Sequence, residues 1–502
     1  MKHLAACALL SLALAAPLAA QDVASFEKRT SVHTLGNGLT VVVCERHEAP
    51  VVSFFTYVDV GADREVPGIT GLAHMFEHMA FKGTDRIGTT DYKAESAALG
   101  KVEEAYRAYD LERRRTVAHD ETKVKGAEQA WRSAMEEAEG FVVTNAFPEL
   151  VERQGGEGLN AFTSSDETAY VYSFPANRVE LWALLESGRF LHPVMREFYK
   201  ERDVVIEERR LRTESRPIGR LIEQFVAAAF TAHPYGQPVI GWPSDLQAFS
   251  ATDAMEFFKN YYVPANVVVA IVGDVTPAQV FPLVEAYFGR LPRQPKPEPL
   301  RTVEPPQRCE RQVILRDPSQ PIYVEGYHRP AAGDPDDATY DAISDVLSNG
   351  RVSRLYRTLV RDKRVAADTG GFNGFPGDKY PNLFVFYAMT TPGHKPEEAA
   401  DLIHAEIERL KNEDVNDDEL ARVKTRAKTE LIRSLDSNTG LAQQLATAQA
   451  RFGDWREIFR RVERIDKVTK PDVRRVAQAT FRLGNRTVGV VESTQMATAA
   501  AK

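Results

Sequence analysis

The sequence predicts an α+β protein of two homologous domains, each an antiparallel sheet with helices packed on one face. Three observations predict it. The chain has 502 residues, more than one hydrophobic core usually organises. The stretch RQPKPEPLRTVEPPQR at 293–308 carries five prolines, which interrupt any helix or central strand and divide the chain into a longer and a shorter part. The two parts also repeat one order of strand-like and helical patterns, as duplication of a single unit would produce.

The elements follow in chain order. MKHLAACALLSLALAAPLAAQ has a basic start, an apolar run and small residues before Gln21, the layout of a secretory signal over 1–20 with cleavage expected near Ala20. The mature protein is therefore expected in the periplasm or outside the cell. The first domain, expected over 25–292, opens with the strand-like LTVVVCE and VVSFFTYVDVGA, separated by the turn-rich RHEAP. A short helix around GLAHMFEHMAFKG comes next. Residues 91–140 hold two long charged helical patterns joined at TVAHDET, which reads as an inserted helical hairpin. Its Tyr106, Tyr109 and Trp131 stand at helical spacing and read as the hairpin's own seam, with a partner-docking arm as the alternative.

After the insertion come LNAFTSSDETAYVYSFP, the helix RVELWALLESGRFL, the acidic helix FYKERDVVIEERRLRTES and the strand VVVAIVGDVT. The second domain, expected over 309–495, repeats this order: RQVILRD and PIYVEGYHRP, the helix DATYDAISDVLSNG, then NLFVFYAMTT, EEAADLIHAEIERL, VNDDELARVKTRAKTELIRS and RTVGVVEST. The hairpin has no counterpart there.

Composition excludes several functions. Hydrophobic residues make up 43% and charged residues 27%, ordinary for a globular protein. A net charge of -8 without a long basic run argues against nucleic acid as a partner. No stretch after the signal approaches the ~20 apolar residues that cross a bilayer. Cys44 and Cys309 remain after cleavage, and pairing and free thiols are both open. Two cysteines cannot build a thiolate-rich zinc site, so any metal must be held by histidine and carboxylate.

Residues 74–78 supply such a set. On a helix His74 and His78 stack on one face with Glu77 beside them. Two imidazoles so placed can occupy two corners of a zinc tetrahedron, and Glu77 lies close enough to take a proton from a water that the metal acidifies. That chemistry suits peptide hydrolysis. Met75, Phe76 and Met79 make the helix partly buried, where unpaired imidazoles would cost stability unless a metal satisfied them. A third ligand must come from elsewhere. Glu201 and Glu208 are seven apart on one face of the acidic helix, with Glu207 about a quarter turn away, and spacing alone leaves the choice open.

HMFEH, MAFKGT, GLNAFTSSDETAY and ERDVVIEERR together resemble the inverted-zincin peptidases that include pitrilysin, insulysin and the mitochondrial processing peptidase, over essentially the whole mature chain. The resemblance implies one zinc ion per chain held by His74, His78 and Glu208, Glu77 as general base, and Glu201 as the carboxylate that orients the site. It implies that Asn160 and Ala161 lie on an edge strand to which an extended peptide adds itself. The gap to Glu208 is longer than in that family by about the length of the hairpin. Aligning the halves puts Asp341, Ser344 and Asp345 opposite the H-x-x-E-H triple and Arg426 opposite Glu208, so the second domain is expected to be metal-free.

One position departs from the family. Where an Arg and a Tyr seven residues apart would help hold the developing oxyanion, this chain has Arg361 and Asp368, and an oxyanion donor is worth ~3 to 4 kcal/mol. Tyr356, Tyr380 or a second polypeptide would have to substitute. The resemblance implies a homodimer, or a heterodimer with a related metal-free chain, closing around peptides or unfolded segments. The alternative is a non-catalytic or partner-dependent zinc-binding subunit.

Overall fold

The computed structural model describes residues 23–494; the expected signal at 1–20 lies outside them. Strands β1 (Thr30–Thr34), β2 (Thr40–Glu45), β3 (Val51–Val58), β4 (Glu157–Thr163), β5 (Thr168–Pro175) and β6 (Val267–Gly273) form one sheet in the order β1-β2-β6-β3-β5-β4. Strands β7 (Arg311–Asp317), β8 (Ile322–Arg329), β9 (Ala366–Phe375), β10 (Asn382–Thr390) and β11 (Arg486–Ser493) form the other, β7-β11-β8-β10-β9. Apart from β1, the two orders superimpose strand for strand, as duplication requires.

Each sheet is antiparallel except for one pair, β2 with β6 and β7 with β11, which run parallel. The last strand of each half arrives after a long helical crossover, and such a connection allows parallel pairing. That direction is invisible in strand-like sequence.

Alternate side chains of each strand enter two different cores. Val41, Val43, Val52, Phe54, Val269 and Ile271 pack under the helices of their own half, where Phe54 stacks on Trp182 of helix Val179–Leu191 at 4.3 Å. Val42, Cys44, Phe55, Tyr57, Ala270 and Val272 face the other way, onto Leu441, Leu445 and Trp455 of the second half. Helix Asn438–Phe452 supplies the two leucines. Reciprocally, helix Pro217–Ala229 of the first half puts Leu221 and Phe225 on Ile322, Val324, Leu383 and Val385 of the second sheet. The helices expected on one face are thus joined on the opposite face by a helix from the other half. Covering both faces explains why VVSFFTYV and VVVAIVG read as continuous apolar runs rather than alternating ones.

The segment 293–308 carries no helix or strand, yet it is tied down. The Glu304 carboxylate accepts from the backbone N–H groups of Thr231, Ala232 and His233 at 2.8 to 2.9 Å, and the Glu298 carbonyl accepts from Arg64 at 2.7 Å. Cys44 is buried, Cys309 is exposed, and both are free thiols.

Candidate metal centre

The centre is built on helix Leu72–Met79, whose Leu72, Met75, Phe76 and Met79 are buried in the first core. This apolar anchorage leaves His74, Glu77 and His78 on the remaining face. Gly71 starts the helix at φ 96°, a left-handed conformation that favours glycine, and a Cβ there would meet the Ile240 carbonyl at 2.8 Å. The buried Glu65 carboxylate accepts from the N–H groups of Gly71 and Ala73, both at 2.7 Å. It thereby satisfies two orphan donors of the helix N-terminus. Burial pushes its pKa up to about 8 against those two hydrogen bonds.

Helix Phe198–Arg209 brings the carboxylates. Glu208 Oε2 lies 3.3 Å from His78 Nε2 and 3.7 Å from His74 Nε2. Glu77 Oε2 is 3.9 Å from His74 Nε2, and Glu201 Oε2 is 3.5 Å from His78 Nδ1. One ligand atom from each of His74, His78 and Glu208 falls within 4.8 Å of the others. Among the described residues this is the one group of three or more His, Cys, Asp or Glu so arranged.

The separations among His74, His78 and Glu208 exceed hydrogen-bond length, so these three groups face a common point without satisfying one another. His74 Nδ1 is buried without a hydrogen-bond partner among the described residues. Burial, reinforced by His78 and Arg212, pushes the His74 pKa down to about 3, which keeps its imidazole neutral as a metal ligand must be. At His78 burial works the other way from Glu201 and Glu208, whose hydrogen bond and charge prevail and raise the pKa. A His2Glu donor set suits Zn2+ with a coordination position left open, and the residues present fit that ion.

Three further contacts support the cluster, and the sequence reading did not find them. Lys82 Nζ reaches Glu201 at 2.5 Å and Glu197 at 2.8 Å, pinning the carboxylate that faces His78. Arg212, on the π-helical turn Arg210–Glu214 that continues the acidic helix, holds Glu208 Oε1 at 2.5 Å. Acid before base at i,i+4 was the available clue. Glu65 caps the histidine helix from a loop, and no local pattern announces that.

A cavity of about 380 Å³ opens beside the cluster, lined by Glu77, His78, Lys82, Val142, Val143 and Glu201 among others. Asn160 and Ala161 lie on β4, the outermost strand of the first sheet, with Asn160 exposed and Ala161 buried. Thr163 at the end of β4 donates to the Ala73 carbonyl at 3.5 Å, which ties this strand to the histidine helix. Arg361 is exposed and paired with its neighbour Asp362 at 2.6 Å. Asp368 accepts from Tyr387 at 3.1 Å. Tyr380 packs on His233 and Tyr235, between the halves.

The second half repeats the pocket without the ligands. A cavity of about 490 Å³ is lined by Asp341, Ser344 and Asp345. Arg426 donates to Asp345 at 2.9 Å, and Arg461 grips Asp341 through two contacts of 2.8 Å.

Residues 40–117 match the family described as insulinase (peptidase family M16), and residues 248–427 match the peptidase M16 inactive domain. The chain is 31% identical over 460 residues to "Zinc protease PqqE" of Helicobacter pylori, covering 88% of this chain and 89% of that protein. It belongs to peptidase family M16. Another member, the "Probable mitochondrial-processing peptidase subunit beta" of Schizosaccharomyces pombe, is 24% identical over 89% of this chain and 88% of its own. Among solved M16 relatives, a protease from Helicobacter pylori superposes with a TM-score of 0.76 at 27% identity, covering 92% of this chain and 99% of that one. The family bears out the resemblance and the two-domain α+β architecture.

Proposed function

We propose that the protein is an exported zinc metalloendopeptidase that hydrolyses peptides or unfolded polypeptide segments. The observation that carries this reading is the convergence of His74, Glu77 and His78 with Glu208, a residue well over a hundred positions downstream. His74, His78 and Glu208 would hold Zn2+. When bound, the ion supplies Lewis acidity toward water and toward a substrate carbonyl.

The chain's own residues do the rest. Glu77 accepts the proton of the attacking water and returns it to the leaving amine nitrogen. Burial raises its pKa, opposed by a hydrogen bond with Thr163, so the carboxyl is suited to both halves of that transfer. Glu201 holds the Nδ1 side of His78, leaving Nε2 toward the ligand cluster, and Lys82 fixes Glu201 in turn. The free edge of β4 offers backbone groups to an extended substrate, which pairs as a further strand.

Asp368 occupies the position where the family's oxyanion tyrosine is expected, so the missing donor must come from Tyr356, from Tyr380 or from a second chain, either another copy or a related metal-free one, and the last fits a half-clamshell of two domains. The periplasmic protease PqqL of Escherichia coli supports that view at the level of fold: this chain matches 48% of it, with a TM-score of 0.67 at 17% identity. The same Asp368, already engaged by Tyr387, favours the second reading, a subunit inactive without its partner. Purified parent and Glu77→Gln proteins, assayed for zinc content and for cleavage of a quenched peptide with and without a related chain, decide between them. Cleavage by the parent alone, lost in Glu77→Gln with zinc retained, supports the peptidase. Zinc without turnover until the second chain is added supports the subunit. Zinc without turnover in either condition favours the non-catalytic form of that subunit, and absence of zinc overturns both readings.

A further inference from the structure

The acidic helix that delivers Glu201 and Glu208 has a weak apolar grip on the protein. Its buried residues are Phe198, Tyr199, Arg202, Val205 and Arg209, two of them arginines that must be satisfied if they are to stay inside. The inserted hairpin, helices Tyr92–Arg113 and Glu121–Glu139, satisfies one of them. Arg202 donates to the Tyr106 hydroxyl at 2.9 Å and to the Phe249 carbonyl at 3.2 Å. Its guanidinium lies over the rings of Tyr199, Tyr106 and Trp131, 4.9 to 5.7 Å from their centroids. Tyr199 packs tilted against Tyr106, ring centroids 4.4 Å apart, and donates to Glu103 at 2.6 Å. Just before the helix, the buried Arg196 is held by both oxygens of Glu95, at 2.5 and 2.8 Å. Tyr106 and Trp131 are therefore not only the hairpin's seam; with Tyr199 they build a cage around Arg202 of another helix, and Tyr109 backs it by stacking on Trp131.

At 3.6 residues per turn Tyr199, nine positions before Glu208, projects from the opposite face. The hairpin thus grips the back of the helix whose front carries Glu208. We propose that the hairpin insertion positions the third ligand, with Arg202 as the positioning residue through which it acts. This rests on the reading of His74, His78 and Glu208 as a zinc site, and it assigns the insertion a role in metal affinity rather than in partner docking.

The test measures zinc affinity of the full mature chain by competition with a chromophoric chelator, the visible spectrum of the Co2+-loaded protein, and the unfolding temperature of the metal-free protein. For Arg202→Met the zinc Kd should rise about tenfold or more, the range expected when support behind a ligand is lost, with changed cobalt bands. Arg202→Lys, which keeps a cation over the rings, should recover part of the affinity. Tyr106→Phe, which keeps the ring and removes the hydroxyl's bonds to Arg202 and to the Ala248 carbonyl, should shift Kd in the same direction by less, and it decides the matter should Arg202→Met not fold. A purely structural clamp predicts a lower unfolding temperature with Kd within twofold of the parent and an unchanged spectrum, and that result overturns the proposal. Failure of the parent itself to bind zinc would instead remove the metal-site reading and this inference with it.

Discussion

Arg426 donates to Asp345 at 2.9 Å in the second half, at the positions where the first half sets Glu208 3.3 Å from His78. One pair of aligned positions holds the proposed ligands Glu208 and His78 in one copy and an ion pair in the other. Arg426 supplies the second pocket internally with a positive charge, where the first is proposed to hold a cation.

Arg426→Ala should leave zinc stoichiometry at one per chain and lower stability by about 1 kcal/mol, as for a partly buried ion pair. Metal analysis and denaturant unfolding measure the two quantities separately.

Within the first pocket, Glu208→Gln and Glu77→Gln should separate binding from chemistry. Losing one ligand in three should abolish stoichiometric zinc under dialysis. Losing the base should retain zinc and lower peptide cleavage about 10²- to 10⁴-fold, the usual weight of a general base.

Lys82→Met should act between these extremes. It frees Glu201 from the ammonium while leaving every ligand in place, so zinc Kd should rise about tenfold. Chelator competition on the folded variant checks it.

A pH dependence follows from Asp63, between the halves. Burial pushes its carboxyl up to about 7, although Lys379 and Arg64 pull it down, with Asp166 and Asp59 adding repulsion. The unfolded chain ionises this group near 3.8, so between about 4 and 7 the folded state binds more protons. Stability therefore falls as pH rises through that window, and the cost is complete above 7. Asp63→Asn should raise stability by about 1–3 kcal/mol at pH 8 and leave it unchanged at pH 3. Urea unfolding of both proteins at the two pH values measures it.

How much of this was legible in the sequence depended on range. The i,i+4 histidines declare a common face through helical periodicity alone, and the structure puts them there. Glu201, Glu207 and Glu208 could not be ranked by spacing, because any charged helix offers several carboxylates per face; the family resemblance chose Glu208, and the fold sets it opposite the imidazoles. The repetition of elements between the halves was legible along the chain, though the order of strands within each sheet was not. The parallel pairs were not, since strand direction is set by the crossover. The aromatic residues of the hairpin look self-sufficient on a helical wheel, and their engagement of Arg202 emerges only when the neighbouring helix is placed.

The exchange of helices between the two halves has a consequence for biosynthesis. Val42, Phe55, Tyr57 and Val272 acquire their cover from residues 441–455, which leave the ribosome long after the first sheet is complete. Until then that sheet exposes an oily back, and a fragment ending in the proline-rich stretch would keep it exposed permanently. Severing the chain there should therefore yield two sticky pieces rather than two soluble modules, and the proposed export of the unfinished polypeptide would call for a holding chaperone.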